Sequence, residues 1–165
     1  MRNEKVTYML QAAMIAAIYV VLVFVFDYWS FGPIQFRIAE ALTVLPFFTP
    51  AAIPGLFVGC FLANFLHGAI LADVVFGSIA TLIGAAGTYL VGRAGLRWLA
   101  AVPPILANTL IVPFVLKFGY GAPDAVWYMI ITVGAGEIIV CGVLGMLLLS
   151  ALDRYKNIIF RVQQG

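Results

Sequence analysis

Charge is what this sequence has least of. Only 10% of its 165 residues are Asp, Glu, Lys or Arg, nine basic and seven acidic, with a single histidine. Too few polar groups remain to cover a wet surface. With 64% hydrophobic residues and a mean hydropathy of +1.10, the chain belongs in lipid. A net charge of +2 and the lack of any basic block outside the membrane flanks exclude a nucleic-acid surface. Cys60 and Cys141 each fall inside an apolar segment with no His or Cys at ligand spacing, which favours small buried hydrophobes over a disulfide or a metal site. No G-x-x-x-x-G-K-[ST] loop exists, so the chain does not hydrolyse nucleotide in the P-loop manner. H-E-x-x-H and G-x-S-x-G are also missing, which leaves an enzyme without a motif and implies no cofactor.

What the chain has instead is long apolar runs. At about 20 residues per crossing it holds at most about six spans and no separate soluble domain. The first run, Val6 to Phe26, follows Arg2 and Lys5 in the manner of a signal peptide, but it ends in Asp27, Tyr28 and Trp29 and not at a small-residue cleavage site, so it reads as a retained helix. The expected fold is an all-α membrane protein, one integral domain over residues 1–165. Its helices are expected at Thr7–Phe26, Gln35–Phe48, Ala51–Leu66, Asp73–Gly92, Trp98–Phe118 and Val126–Leu152.

The second and third of these lie in a stretch of 32 residues, Ala41 to Ala72, with no charged side chain. As one helix it would reach about 48 Å against a hydrocarbon core of about 30 Å. Pro46, Pro50 and Pro54 cluster in its middle, where a turn between two antiparallel crossings belongs. Lys and Arg collect on the cytoplasmic side of membrane proteins, which tests the count independently. Six crossings put Arg2, Lys5, Arg93, Arg97, Arg154, Lys156 and Arg161 inside and only Arg37 and Lys117 outside, seven against two. Without a crossing at Gln35–Phe48 the count inverts to three against six. Both termini are therefore expected in the cytoplasm. Asp27, Glu40, Asp73, Asp124 and Glu137 fall on the outer side or within the membrane, and this acidic mouth suits a neutral or cationic solute.

A buried charge in a spanning segment costs at least a few kcal/mol, so such residues face a bundle interior, a cavity or a ligand. The candidates are Arg37, Glu40, Asn64, His67, Asp73, Asn108 and Glu137. Glu137 stands alone in an otherwise uncharged run from Ala125 to Leu152, and must find donors or a proton. Asn108 lies at similar depth in the fifth helix, and the two are expected to share one cavity. Arg37 and Glu40 are one turn apart, where an internal ion pair competes with a ligand contact at the outer mouth. Asp73 opens the fourth helix, the place of an N-cap or a dipole partner. His67 reads as an interfacial residue between helices. Tyr28, Trp29, Phe31, Phe36, Tyr120, Trp127 and Tyr128 frame the mouth; an aromatic belt accounts for most of them, and a flat heterocycle would use such faces for stacking.

Small residues repeat at helical spacing, Ala12 with Ala16 and Ala13 with Ala17 in the first helix, and Gly55, Gly59 and Ala63 in the third. Such stripes mark close helix packing, either within this chain or against another membrane protein.

The segment from Gly32 to Leu66, opening GPIQFRIAEALTVLPFFTPAAIPGL, followed by DVVFGSIATLIG from Asp73, closely resembles the QueT family. Its members are substrate-binding S components of energy-coupling-factor (ECF) transporters associated with uptake of queuosine precursors. The resemblance implies a six-helix S-component bundle in the bacterial cell membrane, with a transmembrane coupling subunit and two cytoplasmic ATPase subunits as partners. It also implies that Ala12, Ala13, Ala16 and Ala17 form the face that docks on the coupling subunit, and that the S component topples in the membrane to carry its solute inward. The family's solutes are 7-deazaguanines such as preQ1, a flat base with a cationic arm. On that expectation Glu137 and Asn108 read the base edge, Trp29, Trp127 or Tyr128 stacks on it, Asn64 faces the same region, and Arg37, Glu40 or Asp73 closes the outer gate. The alternatives are an S component for another vitamin or heterocycle, and a stand-alone carrier using Glu137 as a proton site.

Overall fold

The computed structural model describes the backbone of residues 2–26 and 37–159, and the side chains of residues 4–26 and 37–155. Among the described residues there are helices and no strands. Six rods follow in order: α1 (Arg2–Val25), α2 (Ile38–Phe47), α3 (Ala52–His67), α4 (Asp73–Arg93), α5 (Arg97–Gly119) and α6 (Val126–Tyr155). Four of them, α1, α4, α5 and α6, are long and apolar enough to cross a membrane.

α2 differs in kind. It is wound as a 3₁₀ helix, and its residues from Ala39 through Pro46 are all buried. At about 2.0 Å rise per residue, ten residues of 3₁₀ helix reach about 20 Å, which compensates for the shortness of the segment. It touches α1, α3, α4 and α6. A rod with apolar residues on every face belongs at the centre of a bundle, which is why its sequence carries no amphipathic period.

Contacts at the two ends fix the direction of each rod. One end gathers Tyr8 with the Pro50 carbonyl at 3.4 Å, Gly92 against the Phe47 backbone, and Arg97 with Asp153 at 3.1 Å. Val44, Ala100 and Leu149 pack together nearby. At the other end Phe24 meets His67 edge-on, Arg37 meets Asp73, and Gly119 packs on Ile70 and Ala72. Successive helices therefore alternate, and the start of α1 and the end of α6 share one end. Lys5, Arg93, Arg97 and Arg154 belong to that end while Arg37 and Lys117 belong to the other, an asymmetry that orients the first end toward the cytoplasm.

Close approaches between helices rest on glycine. A Cβ at Gly55 would sit 2.7 Å from the Ala12 carbonyl oxygen, and one at Gly59 would sit 2.8 Å from the Tyr19 Cβ. The Ala12–Ala16 stripe of α1 thus packs into the Gly55–Gly59 stripe of α3. Ala13 and Ala17, one residue further round α1, face outward and are exposed. The four alanines split into two pairs with different surroundings.

Candidate functional site

The ionisable residues of the outer half converge on one buried cluster built by α1, α2, α4, α5 and α6, with α3 supplying Asn64. Arg37 stands just ahead of α2, and its Nη2 lies 3.1 Å from Asp73 Oδ2, with both side chains under 10% exposed. Tyr120, just past α5, donates its hydroxyl to the same Asp73 oxygen at 3.1 Å. Burial and the adjacent Asp73 carboxylate raise the Tyr120 phenol above its ordinary value. Asn64 Nδ2 donates to the Asp73 backbone carbonyl at 3.3 Å. The expected N-cap role of Asp73 does not hold: its carboxylate makes no cap bond and serves this ion pair. Nor do Arg37 and Glu40 form the anticipated pair one turn apart. The guanidinium crosses to Asp73 of α4 from just ahead of α2.

Glu40 is held by hydroxyls. Tyr19 of α1 and Thr81 of α4 both donate to its Oε1, the latter at 3.2 Å. The side chain is only 1% exposed, and its Oε2 has no hydrogen-bond partner among the described residues. A buried polar atom left unsatisfied costs about 1–3 kcal/mol and more when charged, so this oxygen carries an unmet demand for a donor.

Glu137 is 5% exposed on α6. Cys141, one turn on, donates its thiol to Glu137 Oε2 at 3.2 Å and lies 3.4 Å from the Glu40 backbone carbonyl. Thr43 Oγ1 donates to that same carbonyl at 2.6 Å. The buried Asn108 side chain on α5 lies beside the Glu137 carboxyl. With Asp73 matched by Arg37, the carboxyls of Glu40 and Glu137 have no ion pair of their own among the described residues.

Backbone irregularity coincides with the cluster. Asp73 begins a π-helical turn, Asp73–Gly77, and Glu137 immediately precedes another, Ile138–Gly145. Such turns rotate side chains out of register and recur at functional sites. Gly77 is required by space: a Cβ there would lie 2.9 Å from Asp73 Oδ1 and 3.2 Å from Asn64 Nδ2.

Glu137, Asn108, Arg37, Glu40, Asn64 and Asp73 are therefore buried in one network. Trp127 and Tyr128 are not part of it: they are 66% and 48% exposed and pack edge-on against each other. Trp29, with Asp27, Tyr28, Phe31 and Phe36, lies outside the described residues. His67 sits between α1 and α3, its ring edge-on to Phe24 at 6.3 Å. Sequence reasoning missed Tyr19, Thr43, Thr81 and Cys141. Their only signal is a hydroxyl or thiol at mid-segment, the type of group that satisfies itself on its own helix in most spans.

A sequence profile described as the QueT transporter family matches residues 9–154 of this chain. A protein of Lactococcus lactis subsp. cremoris (strain MG1363) named "Queuosine precursor transporter QueT" is 35% identical over 85 residues, covering 50% of this chain and 50% of that protein. The chain thus spans about half the length of the curated relative it matches. No solved structure matches. With the profile covering nearly all of an all-helical, apolar chain, this multi-pass membrane protein belongs to the QueT transporter family.

Proposed function

We propose that the chain is the solute-binding S component of an ECF-type importer in a bacterial cytoplasmic membrane, and that it takes up a queuosine precursor, a 7-deazaguanine such as preQ1. The carrying observation is a pair of buried carboxyls, Glu40 and Glu137, with no ion pair of their own among the described residues, inside a family of transporters. The complementarity is chemical. A guanine-type edge offers two N–H donors beside one carbonyl acceptor; the Glu137 carboxylate with the Asn108 amide offers two acceptors beside one donor. The Arg37–Asp73–Tyr120 group closes the outer end above that edge.

This chain carries no P-loop; in this reading two cytoplasmic ATPase subunits bind ATP, and a transmembrane coupling subunit links them to the chain. The exposed pair Ala13 and Ala17 is the part of the α1 stripe free to meet the coupling subunit, and toppling of the bundle delivers the solute inward. Vesicles containing this chain with an ECF module take up preQ1 only with ATP inside the compartment that holds the ATPases. Uptake by this chain alone under a proton gradient would replace the reading with that of a proton-coupled carrier, and a thermal-shift response to another vitamin but not to preQ1 would reassign the solute.

A further inference from the structure

We infer that Glu40 is the specificity residue for a cationic, single-point donor on the solute, a primary ammonium, distinct from the planar edge read at Glu137. This rests on the transport reading above and deepens it.

The two carboxyls are dressed differently. Glu137 has a planar amide beside it and a thiol on Oε2, surroundings suited to a flat edge with several donors. Glu40 has two hydroxyl donors converging on Oε1, from Tyr19 and Thr81. They fix the plane of the carboxyl, because Tyr19 comes from α1 and Thr81 from α4. The opposite oxygen, Oε2, is then a single buried acceptor of fixed direction with no partner among the described residues. Arg37, the nearest fixed cation, is engaged by Asp73 at 3.1 Å. Thr43 and Cys141 are turned to the Glu40 backbone carbonyl, not to the carboxylate. What fits Oε2 is a charge-assisted N–H from a compact ammonium, a stronger class of hydrogen bond than a neutral donor makes. A 7-deazaguanine with an aminomethyl arm carries both features: a guanine edge for Glu137 and an ammonium for Glu40.

The test compares two probes with the same base edge: preQ1, which carries the aminomethyl arm, and preQ0, which carries a nitrile in its place. Glu40→Gln keeps an oxygen for Tyr19 and Thr81 and turns an NH2 toward the solute, so the acceptor at Oε2 becomes a donor. Binding to the purified full chain is measured by calorimetry, with thermal unfolding as the control for folding. We expect Glu40→Gln to weaken preQ1 by about 30-fold, a little over 2 kcal/mol at 1.4 kcal/mol per tenfold, and to leave preQ0 within about threefold, which is about 0.7 kcal/mol on the same scale. Parallel losses for both probes, or no loss for either, would overturn the assignment of Glu40 while leaving the transport reading standing. Wild-type protein that binds neither probe would overturn the transport reading itself. Should Glu40→Gln fail to fold, Tyr19→Phe removes one of the two hydroxyls that orient the carboxyl. A loss confined to preQ1 then supports the inference, and equal losses overturn it.

Discussion

Replacing Arg37 with Met isolates the energetics of the outer ion pair. The guanidinium and the Asp73 carboxylate lie 3.1 Å apart with side chains 7% and 3% exposed. Unit charges at that distance attract by about 5 kcal/mol at an effective dielectric of about 20, and removing one member of a buried pair costs about 3–5 kcal/mol, because the other charge is stranded. Tyr120 still donates to Asp73, which brings the expected loss for Arg37→Met to the low end, about 3 kcal/mol. Asp73→Leu is expected to cost a similar amount, and the double variant Arg37→Met/Asp73→Leu much less than the sum, with a coupling of at least about 2 kcal/mol. The assay is unfolding in mixed micelles with increasing SDS, followed by tryptophan fluorescence, across all four members of the cycle. A coupling near 0.6 kcal/mol, about the average for polar contacts between membrane helices, would refute the view of this pair as a desolvated ion pair closing the cluster.

Gly59→Ala forces a Cβ to within 2.8 Å of the Tyr19 Cβ and 3.1 Å of the Ala16 backbone, so α1 and α3 separate, with an expected loss of about 1–3 kcal/mol in the same assay; an unchanged midpoint would contradict the observed packing. Ala13→Leu with Ala17→Leu alters only exposed positions of α1, and is expected to leave stability and solute binding unchanged while abolishing ATP-driven uptake with the partner subunits; loss of binding in the isolated chain would argue against a docking role. The raised pKa of Tyr120 means that its neutral form is favoured by folding, so its contribution is fully present below the ordinary tyrosine pKa of about 10 and is lost as pH rises through the folded value. Tyr120→Phe should therefore lower stability at pH 7 and converge with wild type at strongly alkaline pH, and a gap that widens there would contradict the Asp73 hydrogen bond.

The features legible in the sequence were those for which lipid imposes a high cost. A charge or a carboxamide in a span must be turned inward, which is why Arg37, Glu40, Asn64, Asp73, Asn108 and Glu137 could be named from scarcity and position, and why the direction of each rod followed from seven basic residues against two. Partner choice was not legible. Arg37 pairs with Asp73, 36 residues away, a contact set by how α2 and α4 pack, and neither the buried core position of α2 nor its tighter winding leaves an amphipathic period. The hydroxyls and the thiol that organise the carboxyls, on Tyr19, Thr43, Thr81 and Cys141, were hidden because such groups are inexpensive in a helix and satisfy themselves locally in most sequences. Small-residue spacing predicted a packing face on α1 but not which alanines use it, since Ala12 and Ala13 differ only by a 100° step around the rod. Aromatics are the opposite case: Trp127 and Tyr128 stand exposed, and such residues are favoured at a membrane interface whether or not a ligand is near.

The central claim, that a buried carboxyl cluster in the outer half of a six-helix bundle binds a deazaguanine, is tested most directly by equilibrium binding of preQ1 to the purified chain without nucleotide, in wild type and in Glu137→Ala. Saturable binding by wild type, weakened by about 30-fold or more in the variant, is the predicted result, the scale of losing a hydrogen bond to a buried charge at about 2 kcal/mol. A folded Glu137→Ala protein with wild-type affinity, or a wild-type protein with no saturable binding, would contradict it.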